Sequence, residues 1–126
     1  MLDTKRKGLF GKVVYHLTGR IDSQTAEPLY VQIVEAEGSG LKSLTLNLAG
    51  VDFVSSAGLR TVIKLTRFCN AQGASFAVSS MQPGVAKIFD IAKALPETAV
   101  FVDDAEADAY FETMAKRANR GTNDDD

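Results

Sequence analysis

Apolar residues in this chain recur at every second position in some runs and at every third or fourth in others, and the two kinds of run alternate. That alternation restricts the possible folds more than any other feature. A period of two fits a strand with one buried face, and a period near 3.6 fits a helix lying on it. Strands and helices therefore succeed one another. A sheet connected in this way is α/β, largely parallel, and layered against its helices.

The runs can be placed. KVVYHL (12–17) sets Val13, Tyr15 and Leu17 against Lys12, Val14 and His16, and Gly19 breaks it. The polar MLDTKRKG before it reads as a frayed end, part of which could lead into an edge strand. GRIDSQTAEP carries helix-start signals. Thr25 as N-cap puts Pro28 at the third helical position, where a missing N–H costs nothing. Ala26, Leu29, Tyr30, Ile33 and Val34 follow as one stripe, ended by Gly38 and Gly40. In SLTLNL (43–48) the leucines alternate strictly with Ser43, Thr45 and Asn47. A turn at Gly50, Val51, Asp52 and Phe53 then leads to a second helix. There Leu59, Val62, Ile63 and Thr66 share one face, Arg60, Lys64 and Arg67 the other, and Gly73 is the closing residue.

ASFAVS (74–79) is strand-like, and QPGVAKIFDIAKAL reads as a short helix from Pro83 with Val85, Ile88 and Phe89 inward. TAVFV (98–102) is the last strand. Asp103 and Glu106 resemble a capping box that opens a final helix with Ala107, Tyr110, Phe111, Met114 and Ala118 as its stripe. Lys116, Arg117 and Arg120 lie near its end, as the helix dipole favours, and Gly121 stops it. The expected organisation is one domain over residues 1–118 and a flexible acidic tail over 119–126.

Composition removes several function classes. A chain of 126 residues suits one core, and a net charge of −2 gives no basic field to attract nucleic acid. A single cysteine, Cys69, excludes an internal disulfide, and with a single histidine there is no zinc-type cluster. The longest apolar runs fall far short of a membrane span, and no signal peptide is visible. The expectation is a cytoplasmic protein without metal or other cofactor and without membrane insertion.

The stretch VDFVSSAGLR (51–60) is the one that asks for chemistry. Ser55 and Ser56 stand where a strand region meets an amphipathic helix, and a serine there is most simply a cap for unpaired N–H groups. One cap would suffice, so the second serine is left over. Ala57 and Gly58 are small and keep the spot reachable for a partner surface. A serine hydrolase would carry the G-x-S-x-G elbow, but around Ser56 only the second glycine is present. The lone His16 lies in a strand, a poor place for the general base. No phosphate-binding loop of the G-x-x-x-x-G-K-[ST] type occurs either.

LTGRID (17–22), LTLNLAGVDFVSSAGLRTVIKL (44–65) and GASFAV (73–78), in this order and spacing, resemble the STAS domain of bacterial anti-sigma factor antagonists. The resemblance runs from about Val13 to Lys116. It implies a STAS-like fold, a mixed, mostly parallel sheet of four or five strands packed with about four helices. It implies no catalysis but partner switching. The unphosphorylated protein would bind an anti-sigma factor that is also a serine kinase of histidine-kinase-like ATPase fold; phosphorylation would release it, and a serine phosphatase would reset it. Aligning FVSSAGL with the family pattern puts the phosphoacceptor at Ser56, and Ser55 where the family often has aspartate. Gly19, Arg20, Asp22 and Ser23, before the first helix, would contact the partner together with Ser55, Ala57, Gly58, Leu59 and Arg60. For Asp22 a capping role weighs equally. The alternative within this fold is a STAS module in another assembly, a transport accessory subunit or a non-sigma signalling complex.

Overall fold

The computed structural model describes residues 1–38, 40–92 and 99–101. The expected final helix and acidic tail lie outside the described residues. The elements in order are β1 (Leu2–Leu9), β2 (Lys12–Ile21), α1 (Ala26–Ala36), β3 (Ser43–Val54), α2 (Ser56–Ala71), β4 (Ser75–Ser79), α3 (Pro83–Ala92) and β5 (Ala99–Phe101). The strands form one five-stranded sheet in the order β1-β2-β3-β4-β5. β1 is antiparallel to β2 and the other pairs are parallel, so the fold is the mixed, mostly parallel α/β sheet that the alternation predicts.

One face of the sheet builds the core. The registers align Val13 with Leu44 and Phe76, and Tyr15 with Leu46 and Val78, as rows across three strands. Ala26, Leu29 and Ile33 of α1 and Val62, Leu65 and Cys69 of α2 join the same buried cluster. Each valine, leucine, isoleucine or phenylalanine of this cluster contributes about 1.5–3 kcal/mol by leaving water. Val85 and Phe89 of α3 are buried in it too, and α3 packs on β3.

Three sequence expectations change. The polar N-terminus is not a frayed end but the edge strand that part of it could lead into, and every residue of β1 pairs with β2, from Leu2 with Gly19 to Leu9 with Lys12. Gly19 does not break β2, which continues to Ile21 with Gly19 at φ +122°. Nor is there a turn at residues 50–53. β3 runs through them to Val54 and absorbs two register shifts against β2, between His16 and Thr18 and between Gly19 and Arg20. Each shift inserts a residue into β3, so the inward positions pass from Leu44, Leu46 and Leu48 to Val51 and then Val54, all buried. Strict alternation is lost while the strand is not.

The inward face of α2 is also rotated from expectation. It carries Gly58, Thr61, Val62, Leu65, Thr66 and Cys69, with Leu59 and Ile63 half-buried at its margin. Both threonines are tolerated inside because their hydroxyls are spent on carbonyls, Thr61 on that of Ala26 at 3.2 Å and Thr66 on that of Val62 at 3.0 Å.

Candidate functional site

Because β2 and β3 are parallel, both run out at the same end of the sheet, where Ile21 pairs with Val54. The Ser55 N–H donates to the Ile21 carbonyl at 2.8 Å, the last rung between them. Each strand then turns at once into a helix, β2 through residues 22–25 into α1 and β3 through Ser55 into α2. Two helix starts are thereby set side by side at the C-terminal ends of parallel strands, where α/β folds usually present their binding loops.

The first start is held by Asp22. Its Oδ1 accepts from the N–H of Gln24 at 2.9 Å and of Thr25 at 3.1 Å, and its carbonyl accepts from Ala26 at 2.9 Å. The Gln24 and Thr25 amides hold its carboxyl below the usual carboxylate range. Thr25 occupies the N-cap position, but its side chain makes no capping bond. Its backbone is already helical there (φ −106°, ψ −18°), and its hydroxyl is drawn into the loop, donating to the Arg20 carbonyl at 2.8 Å and accepting from the Asp22 N–H at 2.9 Å. Asp22 therefore does the capping work expected of Thr25.

At the second start the two serines divide. Ser55 is the N-cap, extended at φ −87° and ψ 177°, and its Oγ accepts from the Gly58 N–H at 3.3 Å. Ser56 is the first helical residue and is exposed. The first turn of α2 holds no acidic residue. Gly58 is buried, and a Cβ there would lie 2.8 Å from both the Ile21 carbonyl and a Val54 methyl. Its smallness lets the helix close on the two strands; it does not hold the surface open, as the sequence suggested. Ala57 and Leu59 are half-buried against the core and Arg60 is exposed.

The remaining predicted residues sort the same way. Ser23 and Arg20 are exposed. Gly19 and Arg20 belong to β2 rather than to a loop, and a Cβ on Gly19 would run into the Met1 carbonyl. The Arg20 guanidinium lies 4.7 Å above the ring of Phe53, its partner in the β2–β3 register. Phe53, 36% exposed, is missing from the sequence-derived site because its segment reads as a turn. The signal was present all the same: a large aromatic side chain beside the polar Asp52, two residues before Ser55. Of the candidate residues, Ser56, Ser23, Arg60 and Arg20 are exposed, Arg20 lying against Phe53, while Gly19, Asp22 and Ser55 are half-buried and Gly58 is buried. Gln82, from the segment before α3, donates to the Ala49 carbonyl at 2.9 Å and closes the edge of β3 beyond its last β4 pairing at Asn47.

Three further side chains are accounted for. Lys64 donates to Glu27 at 2.9 Å and lies over the Tyr30 ring at 4.1 Å, so it ties α2 to α1. Cys69 is fully buried and its thiol is pushed up to about 12 by that burial, as for a packed apolar residue. His16 lies five residues before Ile21 on β2, about 16 Å along the strand from the serines and out of proton-transfer reach.

The family profile of the STAS domain matches residues 2–109. The chain belongs to the STAS domain family. Among its relatives, the candidate anti-sigma factor antagonist BtrV of Bordetella bronchiseptica is 27% identical over 107 residues, covering 85% of this chain and 92% of that protein. An anti-sigma factor antagonist from Mycobacterium paratuberculosis has the same fold, with a TM-score of 0.79 over 89% of this chain and 95% of that one, at 19% identity. The anti-sigma factor antagonist SpoIIAA of Bacillus, in its unphosphorylated form, superposes with a TM-score of 0.71 over 86% of this chain and 96% of its own, at 20% identity. The fold is thus the STAS fold. Among the described residues no group of His, Cys, Asp and Glu could hold a metal ion, and no helix is long and apolar enough to cross a membrane.

Proposed function

We infer that this STAS protein is a cytoplasmic anti-sigma factor antagonist that works by binding, with Ser56 as the phosphoacceptor of a partner switch. The observation that carries the reading is the division of the serines: Ser55 is committed to the cap and Ser56 is exposed beside it, so one hydroxyl holds the helix and the other is available. The relatives are named anti-sigma factor antagonists, and SpoIIAA has been solved in unphosphorylated and phosphorylated forms.

The chemistry of the switch follows from the position. A phosphate brings about −1.5 to −2 charges and three strong acceptors. On this side of the interface it would sit at a helix N-terminus, where the dipole and free N–H groups favour it. On the partner's side a bulky dianion would replace a hydroxyl and would have to be desolvated. Ser23, Arg20 with Phe53, and Arg60 form the rest of the contact with an anti-sigma factor that is also the kinase, and a phosphatase restores the hydroxyl. Ser55 in place of the frequent aspartate keeps the capping oxygen while removing a negative charge from beside the acceptor.

The test is incubation with the anti-sigma factor kinase of the same genome and ATP, with the phosphate located by mass spectrometry. Phosphate on Ser56, absent from Ser56→Ala, is the expected result, together with a 10- to 1000-fold weaker complex for Ser56→Glu, about 1.4–4 kcal/mol. Phosphate on Ser55, or a Ser56→Glu complex as tight as the wild type, would refute the switch.

A further inference from the structure

At the opposite end of β2 from Ser56, the β1–β2 hairpin carries a feature that neither the core nor the switch explains. Its loop is the dipeptide Phe10-Gly11, closed by the Leu9–Lys12 pair, with φ of +53° and +81°. Such tight hairpin turns favour asparagine or aspartate before the glycine, and a bulky side chain at positive φ is strained. The strained residue is also the most exposed aromatic among the described residues: Phe10 is 82% exposed, beside Leu9 at 68%. Two adjacent large apolar side chains on a convex tip, one of them in an unfavourable backbone conformation, gain nothing for the fold.

Their surroundings are basic. Leu9, Phe10 and Val14 line one shallow hollow with Lys7, Lys12 and Lys42, and Lys5 lies on the same face as Lys7 by strand alternation. None of these four lysines makes an ion pair among the described residues. The neighbouring Arg6 points to the other face, bound to Glu37.

We propose that the β1–β2 hairpin tip is a peripheral docking surface for anionic lipid membranes, with Leu9 and Phe10 entering the interface and Lys5, Lys7, Lys12 and Lys42 facing the headgroups. Charge complementarity calls for an anionic occupant. Shape and composition favour a bilayer over a protein: the apolar element protrudes, and its cations are lysines, which are depleted at protein interfaces and typical of lipid-facing basic clusters. Four lysines and two apolar side chains give reversible binding comparable to a single acyl anchor, on the order of 10⁴ M⁻¹.

The full chain should float with vesicles of 70% phosphatidylcholine and 30% phosphatidylglycerol and bind pure phosphatidylcholine at least tenfold more weakly. Lys7→Glu/Lys12→Glu, or 0.5 M NaCl, should reduce binding to the anionic vesicles about tenfold. Phe10→Asn is the decisive variant. Asparagine suits the turn, so this protein should melt at or above the wild-type temperature and still lose most of its vesicle binding. Equal binding to the two vesicle types, no flotation at all, or full binding by Phe10→Asn would each overturn the proposal.

Discussion

Ser55 and Ser56 are chemically identical neighbours with opposite fates, and the backbone separates them. Ser55 ends β3 in an extended conformation, which aims its Oγ at the Gly58 N–H; Ser56, one residue on, is helical and its side chain is exposed. Removing the two hydroxyls should therefore have unequal effects. Ser55→Ala loses a cap and should cost about 1 kcal/mol, a fall in Tm of roughly 3–6 °C, whereas Ser56→Ala should stay within about 0.5 kcal/mol. Thermal melts of the two variants decide it; equal losses would mean that Ser55 is not the cap. The existence of a cap at this junction was legible in the sequence, because a serine at a strand-to-helix boundary has few other uses. The role of Gly58 was not, since a glycine needed for close approach to Ile21 and Val54 looks in a linear sequence like a glycine needed for access. Asp22 was legible only as an equal choice, because both a cap and a contact ask for a carboxylate at that point.

At the scale of elements, periodicity succeeded where a strand or helix was regular. Val13, Tyr15 and Leu17 face inward as their alternation requires, and so do Leu44, Leu46 and Leu48. It failed where β3 bulges, because spacings of three from Leu48 to Val51 and Val54 do not resemble a strand until β2 lies beside it. A second device was invisible for the same reason, being made by residues far apart in sequence. Glu37 at the end of α1 is buried, accepts from Arg6 at 2.6 and 3.0 Å and from the Tyr15 hydroxyl at 2.6 Å, and so joins β1 and β2 to the helix. A carboxylate at a helix C-terminus opposes the dipole, and Arg6 offsets that. Arg6 and Tyr15 hold the Glu37 carboxyl below its ordinary 4.5 despite its burial. Unfolded chains thus take up a proton at Glu37 before folded ones do, and the stability it supplies is complete above about pH 5, begins to fade below 4.5 and is lost as pH falls through the lower value of the folded state. Glu37→Gln should cost about 1–2 kcal/mol at pH 7, the half-exposed Arg6 limiting the loss. Melting curves from pH 7 to pH 3 should show the gap between variant and wild type narrowing below pH 4.5. A constant gap would assign the cost to packing instead.

For the molecule as a whole, the sheet keeps its two exposed features apart. β2 carries the Ser56 end and the Phe10 end at its two termini, and its ten residues span about 30 Å. Between them lies a core in which Val13, Leu44 and Phe76, and Tyr15, Leu46 and Val78, lock three strands in register. Such packing resists small continuous deformation, so a charge added at one end has no soft route to the other. The added charge is also well placed for its own element: Ser56 is exposed in the first turn of α2, that turn holds no acid, and the nearby Asp22 carboxylate is already committed to the amides of Gln24 and Thr25. A negative charge there should be neutral or stabilising by about 0.3–1 kcal/mol. Ser56→Glu is therefore expected to melt within a few degrees of the wild type, with amide chemical-shift changes confined to residues 20–23 and 54–60 and none at 9–12. Shifts spread over the sheet, or a fall in Tm beyond about 10 °C, would show that the switch works by altering the fold. Confinement to those two segments would support a switch that acts at the surface proposed for the partner, by making one small hydroxyl too large and too charged to bury.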